Sequence, residues 1–160
     1  MPSAIAERRK VTKKKTRTTA RRRVGNGRYH EQAGAVPYRV TDSGKIEVLM
    51  VTNTNGDWIV PKGTIDPGWT APETAMNECL EEAGIVAGIL GSELGRYEYH
   101  KGDRHCRVRL FALRVKKLED EWLEEDERER MWVSLKAAVK IAAFKNLSQV
   151  IAELEDVVKR

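Results

Sequence analysis

Three glutamates, Glu78, Glu81 and Glu82, crowd one short stretch of this chain, GTIDPGWTAPETAMNECLEEAGI at residues 63–85. On a helix turning ~100° per residue they fall within about 100° of one another. Met76, Leu80 and Ala83 lie opposite, with Cys79 beside them. The spacing predicts a helix with one apolar face for a core and one acid face for a cation. A solvated helix also carries glutamates, but it usually pairs them with bases at i+4, and residues 66–85 contain no Lys or Arg. Hard carboxylate oxygens suit Mg²⁺, or Mn²⁺, better than thiol-seeking metals. Thr70 and Glu73 have capping-box spacing, and Pro72 is tolerated in a first turn.

The neighbouring residues give the acids a register. Gly63, Glu78, Cys79, Glu81, Glu82, Gly84 and Ile85 all fall on the pattern G, five residues, E, seven residues, R-E-U-x-E-E-x-G-U, with U apolar. The chain therefore resembles the Nudix family over roughly residues 30–155, and the preceding Trp58-Ile59-Val60-Pro61-Lys62 is similar to that family's lead-in strand and turn. Two positions depart from the pattern: Trp69 stands at its first Glu and Asn77 at its Arg. In the family those two are expected to pair and brace the loop, and losing both leaves no orphan charge.

The resemblance implies an α/β (α+β) fold, an α/β/α sandwich with a mixed sheet and a catalytic loop-helix. It also implies a pyrophosphohydrolase in which Glu78, Glu81 and Glu82 hold Mg²⁺ (or Mn²⁺), one of them able to act as base. Gly63 and Gly84 are the structural glycines of the motif. Lys62 is a candidate for a substrate phosphate, although a surface lysine beside a turn looks the same in sequence. A catalytically silent ligand-binding relative, suggested by Trp69 and Asn77, is the alternative.

Charge divides the chain. Residues 1–29 carry a balance of +10 and residues 30–160 one of −5. The bases run from Arg8 to Arg28, which predicts an extended, flexible basic arm at 1–29 ahead of a hydrolase domain at 30–160. Through residues 8–28 such an arm could contact nucleic acid or another polyanion, or remain a solvated tail. An RNA-associated protein is thus a further reading. With no aromatic residue before Tyr29, base stacking is unsupported there. Cys79 and Cys106 have no CxxC partner, which points to a reducing, cytoplasmic setting without disulfides. No apolar run reaches the roughly 18 residues of a membrane span. Oligomeric state is not readable.

Apolar alternation predicts a hairpin from strands at 32–40 and 45–53, with Gly44 in the turn and Pro37 at an edge or bulge. A strand over 104–115 sets His105, Arg107 and Arg109 on one face and Cys106, Val108 and Leu110 on the other. Guanidinium groups bind phosphate bidentately, so that row is a candidate contact for a polyphosphorylated small-molecule substrate. An exposed strand face with scattered bases has the same pattern. The acidic run 119–129 reads as a solvated loop, from which Glu124, Glu125 or Glu127 would assist the site by resemblance. A short strand at 131–133 and helices at 135–143 and 146–158 follow, with Asn146 as cap of the second. Residues 57–63 with 128–133 resemble the branch that cleaves diphosphoinositol polyphosphates and diadenosine polyphosphates.

Overall fold

The computed structural model describes residues 29–159, so the basic arm up to residue 28 lies outside the described residues. Strand β1 (His30–Val40) turns through Thr41 to Gly44 into β2 (Ile46–Thr52). Gly44 takes φ +81° there, and its N–H donates to the Thr41 carbonyl at 2.8 Å. Short strands β3 (Trp58–Ile59) and β4 (Lys62–Thr64) lead to helix α1 (Ala71–Ala83). A long hairpin, β5 (Ile85–Lys101) and β6 (Arg104–Leu118), precedes β7 (Arg130–Ser134). Helices α2 (Leu135–Ile141), α3 (Lys145–Ala152) and α4 (Leu154–Val158) close the described chain.

The strands form one mixed sheet in the order β3-β2-β1-β6-β5, with β4 paired to β1 and β7 to β2. β1 and β6 run parallel in a ladder from His30–Cys106 to Tyr38–Arg114. On its other side β1 pairs with β4 through Gln32 to Gly34 and with β2 through Tyr38 to Val40. Pro37, expected at an edge or bulge, is buried in this central strand instead. It falls where β1 passes from β4 to β2, so its missing N–H interrupts neither of those two ladders. In β2 both parities are buried, from Val48 through Val51, because α2 and the other strands cover it.

Two helical expectations need correction. Residues 146–158 do not form one helix, since the chain tightens at Glu153, whose N–H donates to the Val150 carbonyl three residues back. Nor does Asn146 cap α3: the cap position is Phe144, while the Asn146 amide donates to the Glu98 carbonyl at 2.7 Å and ties the helix start to β5.

Candidate active site

Helix α1 is fixed at both ends by its own sequence. Thr70 Oγ1 accepts from the Glu73 N–H at 3.2 Å, and Glu73 Oε1 accepts from the Thr70 N–H at 2.9 Å. Those bonds hold the exposed Glu73 carboxyl below its ordinary range. At the other end Gly84 takes φ +70°, and its N–H donates to the Leu80 carbonyl. A side chain there would also meet Trp122 and Arg130. Arg130 explains that crowding, because it donates to the Ala83 and Glu119 carbonyls at 2.7 Å while lying 3.9 Å over the Trp122 ring. The acidic run is therefore folded onto the helix C-terminus rather than simply solvated.

The acid stripe of α1 is buried as well as part of its apolar face. Glu78, Glu81 and Glu82 are 0, 3 and 3% exposed and Cys79 and Ala83 are fully buried, whereas Met76 and Leu80 are only half-buried. The reason lies in β4: a Cβ at Gly63 would run into the Glu78 carboxyl, so glycine lets this strand close over the acids. Burying an ionised carboxylate costs several kcal/mol unless it is compensated. Part of the compensation is visible. Asn77 Nδ2 donates to Glu81 Oε2 at 2.8 Å, the Lys62 N–H approaches Glu82 Oε1 at 3.4 Å, and Arg128 Nη2 lies 3.5 Å from Glu82 Oε2. The donor chemistry and burial of the three acids suit a hard divalent cation. Among the described residues no three His, Cys, Asp or Glu side chains are already drawn into a metal-holding group.

Asn77 and Trp69 occupy the two positions that depart from the motif. Asn77 is 1% exposed and serves Glu81, one turn further along the helix. Half-buried Trp69 lines a hollow with Pro72, Met76 and Leu90, and its N–H donates to the Asp66 carbonyl at 3.0 Å. The loop is thus held by the capping box and by the Trp69 N–H on the Asp66 carbonyl, where the pattern would use a Glu–Arg pair.

Beside Glu82 opens a hollow of ≈ 300 Å³ whose wall carries Lys62, Lys101, Arg104 and Arg128. Lys62 Nζ donates to the Tyr99 hydroxyl at 2.9 Å, and that hydroxyl donates to Gln32 Oε1 at 2.8 Å. Burial lowers the Lys62 pKa, an effect that Glu82 opposes. His30, hydrogen-bonded through Nε2 to Thr64 Oγ1 at 2.7 Å, is likewise lowered by burial and by Arg104 and Lys62. Arg128 also donates to Glu124 Oε1 at 2.8 Å and to the Thr52 carbonyl at 2.7 Å. Of the three loop glutamates raised by resemblance, Glu124 is the one linked to the site, while Glu125 and Glu127 are exposed.

The strand row lies elsewhere. Arg107 binds Glu31 through Nε and Nη2 at 3.1 and 2.7 Å, Arg109 binds Glu93 at 2.7–2.9 Å, and His105 Nε2 meets Glu98 at 2.7 Å. None of the three lines the cationic hollow. The β6 residues that do are Arg104 and Cys106, of the opposite parity. Alternation revealed the stripe, but the apolar company of Arg104 concealed that its face opens at one end. Gln32, Tyr99, Lys101, Arg104 and Arg128 were not anticipated. Their sequence signals were the parity of Arg104 and, for Arg128, its place in the 128–133 stretch that carries the family resemblance.

Buried carboxylates at the edge of a cationic hollow suit attack on an acid anhydride, and comparison with known proteins gives that class a family. Residues 28–154 match the NUDIX domain, and the chain belongs to the Nudix hydrolases, which are pyrophosphohydrolases. Nudix hydrolases generally use divalent metal ions. The chain is 30% identical over 142 residues to Nudix hydrolase 12, mitochondrial, of Arabidopsis thaliana, covering 76% of this chain and 70% of the relative. To the diphosphoinositol polyphosphate phosphohydrolase 3-alpha of Mus musculus it is 36% identical over 99 residues, 59% of each chain. A C. elegans Ap4A hydrolase shares the fold with TM-score 0.71 at 24% identity, covering 81% of this chain and 97% of that one.

Proposed function

We propose that this Nudix hydrolase cleaves a phosphoanhydride in a highly charged small molecule, a diphosphoinositol polyphosphate or a dinucleoside polyphosphate. Glu78, Glu81 and Glu82 would hold Mg²⁺ or Mn²⁺. The observation that carries the reading is the clustering of Lys62, Lys101, Arg104 and Arg128 around one hollow that ends on Glu82. Four cations around a single cavity match a dense array of phosphate oxygens. The aromatic ring in the wall, Tyr99, is stacked on Phe144 at 5.6 Å, an arrangement that favours the inositol over the dinucleoside substrate. The similarity to the mouse enzyme supports the same branch.

A bound divalent cation would neutralise phosphate oxygens and make the attacking water more acidic. The chain's own residues supply the rest. Lys62 and Arg104 bind phosphate oxygens and orient the chain of anhydrides; Arg128 holds Glu124 and Glu82 together; one helix carboxylate takes the proton of the attacking water. A new P–O bond forms to water as the bridging P–O bond breaks. His105, Arg107 and Arg109 take no direct part, since carboxylates on neighbouring strands already engage them.

The test is a substrate panel of dinucleoside polyphosphates, diphosphoinositol polyphosphates and nucleoside diphosphate sugars. It is run with Mg²⁺ and with Mn²⁺ on wild type, Glu78→Gln and Glu82→Gln. Turnover confined to wild type and highest on an inositol substrate is the expected outcome. Tight binding without turnover would instead make the chain a silent ligand-binding relative.

A further inference from the structure

Of the four cations around the hollow Lys62 is the nearest to the carboxylates in sequence, and a lysine binds phosphate as a point charge whose aim depends on what directs it. Its stem has many rotamers and its ammonium is a compact charge with no preferred direction. Here three segments, β5, β1 and the start of α3, converge to give it one. The ammonium donates to the Tyr99 hydroxyl at 2.9 Å and lies 4.9 Å from the centre of the same ring. The Tyr99 proton is in turn committed to Gln32 Oε1, so the hydroxyl oxygen offers a lone pair to Lys62. The ring packs in a three-ring cluster with Phe144 at 5.6 Å and Tyr97 at 6.0 Å, those two being 6.1 Å from each other. Phe144 itself is placed by the start of α3, which Asn146 fastens to the Glu98 carbonyl.

We infer that Tyr99 is a positioning residue: it fixes the Lys62 ammonium where a substrate phosphate arrives, with Gln32 orienting its hydroxyl and Phe144 its ring. The inference rests on the reading above, in which Lys62 meets phosphate. It adds that Tyr99 near the end of β5 and the α3 start, both outside the motif, set the substrate affinity of the lysine that precedes Gly63. If Tyr99 were merely packing, its ring would suffice and its hydroxyl would be dispensable.

The experiment compares the full chain with Tyr99→Phe, Lys62→Met and the double variant. It measures KM and kcat on the preferred substrate, and separately the Kd for inorganic pyrophosphate without divalent ions. Tyr99→Phe keeps the stack and removes the hydroxyl. It should raise KM and the pyrophosphate Kd about fivefold, the scale of one lost hydrogen bond, with a smaller change in kcat. Lys62→Met should weaken both further, and the double variant should equal Lys62→Met, because Tyr99 acts through the lysine. Full additivity in the double variant, or an unchanged KM in Tyr99→Phe beside a raised one in Lys62→Met, would overturn the inference. Unchanged constants in Lys62→Met would instead remove the reading on which it rests. Should Tyr99→Phe fail to fold, Gln32→Met removes the hydroxyl's acceptor and is judged by the same comparison.

Discussion

Each face of β6 carries arginine, and the two faces do opposite things with it. On one, Arg107, Arg109 and His105 are each met by a glutamate from a neighbouring strand. On the other, Arg104 joins Lys62, Lys101 and Arg128 around a hollow that reaches the buried acids of α1. The difference lies in the counter-ions. Charges matched strand to strand hold a sheet face together and expect nothing further. Around the cavity Arg128 is held by Glu124 and Glu82, whereas Lys62, Lys101 and Arg104 are gathered there without a carboxylate ion pair among the described residues and are open to an anionic ligand.

The largest expected effect falls on the cavity side. Glu82→Gln should lower kcat by about a thousandfold, the scale of a lost general base or charge stabiliser, with the fold intact by circular dichroism. Less than about tenfold loss would break the contrast between the faces. Gly63→Ala should come next, destabilising the domain by about 1–3 kcal/mol in urea titrations, because its methyl enters the space of the Glu78 carboxyl.

Thr70→Ala touches neither face and measures the helix by itself. It should cost about 1 kcal/mol, through the cap. The capping box also has a pH signature. The Glu73 pKa is lowered by the Thr70 backbone N–H and then by the Thr70 side chain. Its contribution is therefore present above the unfolded carboxylate pKa and disappears as pH falls through the folded value. The stability gap between wild type and Glu73→Gln should close below about pH 4. Smallest of all, Arg109→Gln on the matched face should leave KM within about twofold. A larger rise there, exceeding that of Arg104→Gln, would reverse the assignment of faces.

Much of the site was legible because the motif is local. Gly63, Glu78, Glu81, Glu82 and Gly84 sit within one loop and helix, and spacing alone puts the acids on one stripe. What could not be read was that the stripe is itself buried. Cys79 and Ala83 enter the core as the apolar pattern argued, while the closeness of glycine at position 63 lets β4 close over Glu78 and leaves Met76 and Leu80 half-buried. The cationic cavity was illegible for a similar reason. Lys62, Tyr99, Arg104 and Arg128 come from different strands and a loop, and no local pattern marks residues that meet only through the sheet. Asn146 shows the same limit: it sits inside the first turn, where its Oδ1 accepts the Leu147 N–H at 2.9 Å, and its amide reaches a carbonyl on β5 that no local pattern marks.

The parallel pairing of β1 with β6 has a consequence for how the protein is made. Gln32 and Tyr99 lie 67 positions apart, and His30 and Cys106, which open the ladder, are further apart still. The β5–β6 hairpin can zip from its two-residue tip, but β1 must wait until most of the domain has been synthesised. Until then β1 presents an unfilled edge and Lys62 lacks the Tyr99 hydroxyl that receives it. Folding should consequently be slow for a domain of this size, and the cavity should be among the last parts to acquire its shape.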